Sequence, residues 1–409
     1  MSFYQLVFLG PDPDHVEQEI VDALQKNFVA LGMAGADLLQ VLHAGDESHL
    51  KGYNAAAAVW LAAKNYRPSG ASGLQEKLLQ KMMASACPVF PVVDSLDRFP
   101  DKVPPALEPV NGIARDKEGW LQKLTGGLLA QWGLTRVQRR IFISYRRSES
   151  TGVAGQLLHA LMGRGYGVFL DTVSVEPGAL FQEHLWDSMS DVDLVVFLAS
   201  PEALTSTWVQ QEIINAAGVG LGVVQVTWPG AVKTDLQLKE IIKDKKLDEG
   251  VAIPFHLALA DFPNGATREA VLPENRLQEL LTCIEDTRIE SLGARRQRIT
   301  GSILDEAGRR GFTAIQHPGG VVELMNPETT KLSYAFVLPG LPDAVALHDW
   351  ELTYDGMEGR RETEISPLLI YNQIGLTARR RKHLGWLNSH CPLRAQSVEK
   401  LDGWFSSLS

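Results

Sequence analysis

Two short stretches hold the side chains best suited to chemistry. In Ser206-Thr-Trp208-Val-Gln-Gln-Glu212 a tryptophan precedes a glutamate by four residues. At that spacing an aromatic ring and a carboxylate share one side of a helix. In Phe142-Ile-Ser-Tyr-Arg-Arg147 an apolar run ends in two arginines. A carboxylate beside an aromatic face suits reactions in which positive charge develops on a sugar. It can hold ribose hydroxyls and stabilise an oxocarbenium-like anomeric carbon, while the ring stacks and excludes water. Each residue also has a plainer account. A glutamate near a helix start gains from the helix dipole, a tryptophan fills a core, and paired arginines finish a solvated strand end.

The elements around these stretches decide whether they can meet. Ile141 to Tyr145 reads as a strand, Gly155 to Met162 as a helix, and Gly167 to Leu170 as a second strand ended by Asp171. A loop through Val173, Glu176, Pro177 and Gly178 leads to a helix from Phe181 to Met189. Asp193 to Leu198 is a third strand, Trp208 to Ala217 a helix, and Val223 to Val226 and Ile253 to Leu257 two further strands. Short strands alternating with helices predict a parallel sheet with right-handed crossovers and loops gathered at the strand C-termini. Both stretches then reach one rim.

On either side the pattern is less specific. Residues 1–115 read as an α/β unit, with strands at Phe3 to Leu9, Leu38 to Leu42 and Pro88 to Val93. Asp14 is placed to cap its first helix. Tyr53 to Lys64 reads as an alanine-rich helix and Leu74 to Met83 as another. The prolines in Pro88 to Val93 predict an edge or a strand end. Residues 116–137 form an amphipathic linker helix leaning on the next domain, and 138–262 the central domain. After a turn at Pro263 to Ala266 come a charged helix from Leu277 to Glu290 and a third unit, 275–409, of α+β or Rossmann-like type. That unit holds a helix from Ile303 to Arg310, strands near Val321 to Leu324, Tyr334 to Leu338 and Leu368 to Tyr371, and a helix holding Arg379 to Leu387.

Composition bounds the function. A chain of 409 residues, 45% hydrophobic and 22% charged, is that of a soluble globular protein of two or three domains. No apolar run is long enough for a bilayer helix, and the first residues carry no leader pattern, so a cytoplasmic location is expected. Cys87, Cys283 and Cys391 lie too far apart for a CxxC pair. The histidines show no ligand spacing, and no metal or resident cofactor is expected. A net charge of −10 argues against a general nucleic-acid binder, though a local basic patch remains open. Gly218-Val-Gly-Leu-Gly222 follows a helix and precedes a strand, so it reads as a helix stop and not as a phosphate loop. Arg379-Arg-Arg-Lys-His383 could grip an anion, and a solvated basic helix face is the plainer account.

Taken in order, Phe142 to Arg147, Val168-Phe-Leu-Asp171 with Gly178, Leu198-Ala-Ser200 and Trp208-x-x-x-Glu212 resemble the TIR (Toll/interleukin-1 receptor) domain of bacterial NAD-cleaving proteins. The resemblance covers about 120 residues and does not reach the flanks with certainty. It implies a flavodoxin-like domain with a five-stranded parallel sheet. It further implies that Glu212 cleaves the nicotinamide–ribose bond of NAD+, which enters as substrate, with Trp208 walling the pocket. Arg146, Arg147, Asp171 and Phe181 fall where the family lines the nicotinamide end or a mobile loop. The loop through Val173, Glu176, Pro177 and Gly178 corresponds to one that meets a neighbouring subunit, so self-association is expected.

By the same resemblance the function would be immunity against phage, with release by a trigger acting at the flanks. The first unit could be a degenerate copy of the middle one. The principal rival is a scaffold that only recruits other TIR domains, against which Glu212 speaks. Relatives proposed to act on nucleic acid carry cysteine directly after the tryptophan, where this chain has Val209.

Overall fold

The computed structural model describes residues 4–11, 16–33, 38–46, 49–50, 56–62, 72–84, 87–170, 189–218, 220–231, 252–355, 366–372 and 376–408. Three five-stranded sheets organise them. The first contains β1 (Tyr4–Leu9), β2 (Leu39–Leu42), β3 (Ala56–Leu61), β4 (Val89–Val93) and β5 (Ile113–Ala114), all parallel in the order β2-β1-β3-β4-β5. Helices cover both faces, so the inner strands are continuously apolar. Tyr4, Leu6 and Phe8 meet α1 (Glu17–Ala30), and Val7, Leu9 and Trp60 face α2 (Ser72–Ala84).

Three expectations for this unit change. The alanine-rich segment is a strand and not a helix: Ala57 and Val59 enter one core while Ala58 and Trp60 enter the other. Tertiary burial on two faces overrides the helix propensity of alanine. Asp14 lies outside the described residues, and the cap of α1 is Val16, with no side-chain bond. The amphipathic helix α3 (Trp120–Gln131) packs backward into the first unit instead of forward as a linker, carrying Leu124, Leu128 and Leu129 into its core. Trp132, which caps it, sits against Tyr4 and Phe28 at ring separations of 5.3 and 6.1 Å. Pro91 is tolerated because β5 covers only Val92 and Val93 on the outer side of β4.

The middle unit contains β6 (Arg139–Ser144), α4 (Thr151–Gly163), β7 (Tyr166–Leu170), β8 (Leu194–Ala199), α5 (Thr207–Gly218), β9 (Gly222–Thr227) and β10 (Ala252–His256). Its strands are parallel in the order β10-β9-β8-β6-β7. Counted along the chain this is 2-1-3-4-5, the order of the first sheet and the flavodoxin-like arrangement. The helix stop after α5 is built as expected: Gly220 takes φ +69° and Leu221 N bonds Ala216 O at 2.9 Å.

One helix joins everything. The sequence predicted two, over Leu277 to Glu290 and Ile303 to Arg310. The structure has a single α6 (Glu274–Arg309) of 36 residues, about 54 Å long. Its first third completes the core of the middle unit with Leu277, Leu280, Leu281 and Ile284. Ile289 enters the core of the first unit, and Gly293 lets the helix lie directly on the backbone of Leu31. Ile299, Ile303 and Ala307 then enter the third core. Boundaries at 262 and 275 therefore separate the middle strands from a helix that closes their core.

The third sheet is mixed. β11 (Thr313–His317), β12 (Val321–Met325) and β13 (Leu332–Val337) are antiparallel, and β14 (Leu368–Tyr371) and β15 (Arg394–Ser397) continue parallel from β13. α7 (Ala344–Asp355), α8 (Ala378–His390) and α9 (Leu401–Leu408) accompany it. Among the described residues, no helix is long and apolar enough to cross a membrane.

A buried ionic cluster lies where the units meet, just before β8. Asp193 accepts from Arg288 Nε at 2.8 Å and from Arg136 Nη1 at 3.2 Å. Asp191 accepts from Arg136 Nη2 at 2.8 Å and from Leu341 N at 3.4 Å, and pairs with Arg140. Arg380 Nη2 stands 3.9 Å from the same carboxylate. Glu285 accepts from Arg288 and from the Tyr166 hydroxyl. Burial alone would raise the Asp193 carboxyl, but Arg288, Arg136 and Arg295 hold it below the usual carboxylate range. Arg295 bonds the carbonyls of Val192 and Pro339 at 3.3 and 3.4 Å, and its burial pushes it down to about 10.

Candidate active site in the middle unit

Strand alternation decides which side chains of β6 matter. Phe142 and Ser144 project to the face covered by α5, while Ile143 and Tyr145 project to the face covered by α4 and α6. In register, Ser144 pairs with Phe197 and Phe197 with Gln225, so two polar side chains flank one phenyl ring on the α5 face. α5 presses Val209, Ile213 and Ala216 onto that face. Glu212 shares the inward side, three residues after Val209 and one before Ile213.

Glu212 is therefore a carboxylate in a core position, 1% exposed. Its Oε2 accepts a hydrogen bond of 2.5 Å from Ser144 Oγ, across 68 residues of sequence. Interaction with the helix dipole does not account for it, since Glu212 is the sixth residue of α5 and the dipole effect fades within the first turn. A carboxylate buried among valine, isoleucine and phenylalanine is expensive without partners, and packing alone would be better served by leucine.

The loops around it are tied by polar contacts. Arg146 Nη1 donates to Glu202 O at 2.7 Å, Glu202 Oε2 at 2.9 Å and Thr205 Oγ1 at 2.7 Å. Glu149 Oε2 accepts from Ser200 Oγ at 2.6 Å and from Glu202 N at 3.2 Å. The loop after β6 is thus fastened to the turn after β8, and Arg146 serves as a strap there. Arg147 is exposed beside it.

Of the expected site residues, Glu212 and the Phe142 to Arg147 stretch come together at one rim. Trp208 lies on the first turn of α5, one turn before Glu212, and its side chain lies outside the described residues. So do Asp171, Val173, Glu176, Pro177, Gly178 and Phe181, together with the predicted helix from Phe181. Sequence reasoning missed Ser144, Glu149 and Glu202. Ser144 stood inside the quoted motif, and its place on the strand face of Phe142 was the available signal. Glu149 and Glu202 carry no local pattern that marks them.

The strand order, the crossover helices and a buried glutamate at the C-terminal rim define an α/β unit of the flavodoxin-like class with a candidate catalytic carboxylate. Residues 141–237 match the family model of the TIR domain, and the middle unit is a TIR domain. The NAD(+) hydrolase SARM1 of Danio rerio is 30% identical over 115 residues, which is 25% of this chain and 16% of that protein. The NAD(+) hydrolase sarm1 of Drosophila melanogaster is 30% identical over 102 residues, 22% of this chain and 7% of that protein. The chain thus spans only a small part of the length of these curated relatives. Among solved structures, the TIR domains of the activated Roq1 resistosome directly recognizing the pathogen effector XopQ align at 18% identity with a TM-score of 0.27. That alignment covers 36% of this chain and 99% of that one.

Proposed function

We propose that this protein cleaves the nicotinamide–ribose bond of NAD+, with Glu212 as the catalytic carboxylate. The observation that carries the reading is the placement of Glu212: buried on the sheet-facing side of α5, fixed by Ser144 Oγ at 2.5 Å, within residues 141–237 that match the TIR domain. In the reaction the C1′–N bond breaks heterolytically and nicotinamide leaves neutral, taking the electron pair. Little acid catalysis is needed. The carboxylate holds the ribose hydroxyls and stabilises the positive anomeric carbon, while Ser144 fixes its orientation. Water as acceptor gives ADP-ribose and a proton. An adenine nitrogen or ribose hydroxyl of the same molecule gives a cyclic ADP-ribose.

In this reading Trp208 walls the pocket, Arg147, Asp171 and Phe181 line the nicotinamide end, and Arg146 holds the loop that carries Arg147. Contacts through Val173, Glu176, Pro177 and Gly178 bring TIR domains together, and assembly switches the enzyme on in bacterial defence against phage. The burial of Glu212 supports one competing reading, a TIR scaffold that recruits other TIR domains without chemistry. The test is to incubate the full chain with NAD+, alone and under crowding, and to follow nicotinamide by chromatography. Turnover that vanishes in Glu212→Ala is expected. Absence of turnover under every oligomerising condition, or undiminished turnover in the variant, refutes the catalytic reading.

A further inference from the structure

A ribose cannot touch Glu212 in the conformation described. The carboxylate is 1% exposed, and Ser144, which fixes it, is fully buried. Phe142 and Phe197 close it in from the sheet, and Val209 and Ile213 from its own helix, all within one core. Among the described residues, the way out runs toward the rim, past the loops that leave β6 and β8. Those strands are neighbours in the sheet, so their loops stand side by side above the Ser144–Glu212 pair.

The two loops are barred together at that point. Ser144 is the last residue of β6. Arg146, two residues on, falls on the same side by alternation, and its Nη1 reaches across to Glu202 O, Glu202 Oε2 and Thr205 Oγ1 at 2.7, 2.9 and 2.7 Å. A second bar lies beside it, where Glu149 Oε2 accepts from Ser200 Oγ at 2.6 Å and Glu202 N at 3.2 Å. Each loop is also braced from within its own side. Arg146 O accepts from Glu149 N at 3.0 Å and Ser150 N at 3.1 Å, and Gln210 Nε2 of α5 donates to Leu204 O at 2.5 Å. Two stiff pieces thus meet at a polar joint. The Arg146 and Glu202 side chains in it are 29% and 65% exposed, and a pair so open to water contributes little to stability. A buried carboxylate lies under a fastening that can part without disturbing the core.

We infer that Arg146 and Glu149 form a gate over Glu212, that the structure holds it closed, and that substrate reaches the carboxylate when the loop after β6 parts from the loop after β8. Neither residue touches the reacting atoms, and both act by setting access. The inference rests on the NAD+ reading for the identity of what enters, while the closure itself is a matter of geometry. It gives Arg146 a role apart from the nicotinamide end: its guanidinium is engaged by Glu202 and Thr205 and is released on opening.

Carboxyl labelling of the full chain tests it, with a water-soluble carbodiimide and glycine ethyl ester as the reagents and peptide mass spectrometry as the readout. Glu212 should react slowly in the parent. Arg146→Ala and Glu149→Ala should each speed its labelling by about tenfold, the weight of one net hydrogen bond to a charged group. Asp193 and Glu285, buried at 0% and 4% far from the gate, are internal controls for wider unfolding and should not change. Glu202→Gln is the mild variant, expected to give about threefold or less because Glu202 O and Thr205 Oγ1 still accept. Labelling of Glu212 that ignores all three substitutions, or that rises only in step with Asp193 and Glu285, overturns the inference. Nicotinamide release by the same variants separates it from the reading it rests on. Faster labelling without turnover in any form keeps the gate and removes NAD+ cleavage. Turnover that needs Glu212, with labelling indifferent to the substitutions, removes the gate and keeps cleavage.

Discussion

Asp193→Asn isolates the charge at the centre of the structure. The side chain is fully buried and nearly isosteric with asparagine, so no cavity is opened. What disappears is the counter-charge for Arg288, 1% exposed and 2.8 Å away, and for Arg136, 8% exposed and 3.2 Å away. Removing one partner of a buried pair costs about 3–5 kcal/mol. Asp191 and Glu285 remain to neutralise part of the excess, which puts the expected loss near the lower end, about 3 kcal/mol. Equilibrium unfolding in urea, followed by tryptophan fluorescence, measures it. Buried Trp60 and Trp132 report the first unit, Trp228 the TIR domain and Trp404 the third. The exposed bridge from Lys26 to Asp286 at 2.7 Å supplies the contrast, and Lys26→Ala should lose less than about 1 kcal/mol. If Asp193→Asn lies within about 1 kcal/mol of the parent, the cluster does not hold the units together in the way described.

Two further outcomes follow from particular contacts. A Cβ at Gly293 would meet Leu31 Cα at 2.6 Å, and backbone cannot yield, whereas one at Gly301 meets nothing within 4 Å. Gly293→Ala should therefore lose about 1–3 kcal/mol despite the better helix propensity of alanine, and Gly301→Ala should gain up to about 1 kcal/mol. Urea midpoints of opposite sign check the pair. Acid should act through Asp193. Its folded pKa is depressed, so the unfolded chain binds more protons and the stabilisation, present above the unfolded value of about 3.9, is lost as pH falls below it. The urea midpoint should drop between about pH 5 and about pH 3, and the slope should flatten in Asp193→Asn.

Legibility in the sequence followed the range of the interactions. The parallel sheet of the TIR domain was readable because each strand announces itself locally as a short apolar run between turn residues, and Glu212 because it stands one helical turn from Trp208. Its partner Ser144 could be placed on the strand face of Phe142 by alternation, but that α5 covers this face emerges only from the packing. Ala56 to Leu61 misled because alanine favours helices wherever helices do not already cover both faces. α6 was read as two helices, and Gly293 and Gly301 both stand in the gap left between them. Only the structure reveals that the first allows a close approach to Leu31. The partners of Asp191 and Asp193 lie 51 to 189 residues away and leave no local trace.

The shared helix bears on heredity as well as on folding. Proteins that exchange parts by recombination do so where an exposed linker lets each part keep a complete core. Here a crossover anywhere between Leu277 and Ala307 would hand one descendant a helix whose apolar residues match the wrong neighbour. The packing thus favours inheritance of the three units as one, since even a joint after Arg309, in the turn that leads to β11, would part Ile299, Ile303 and Ala307 from the core they fill.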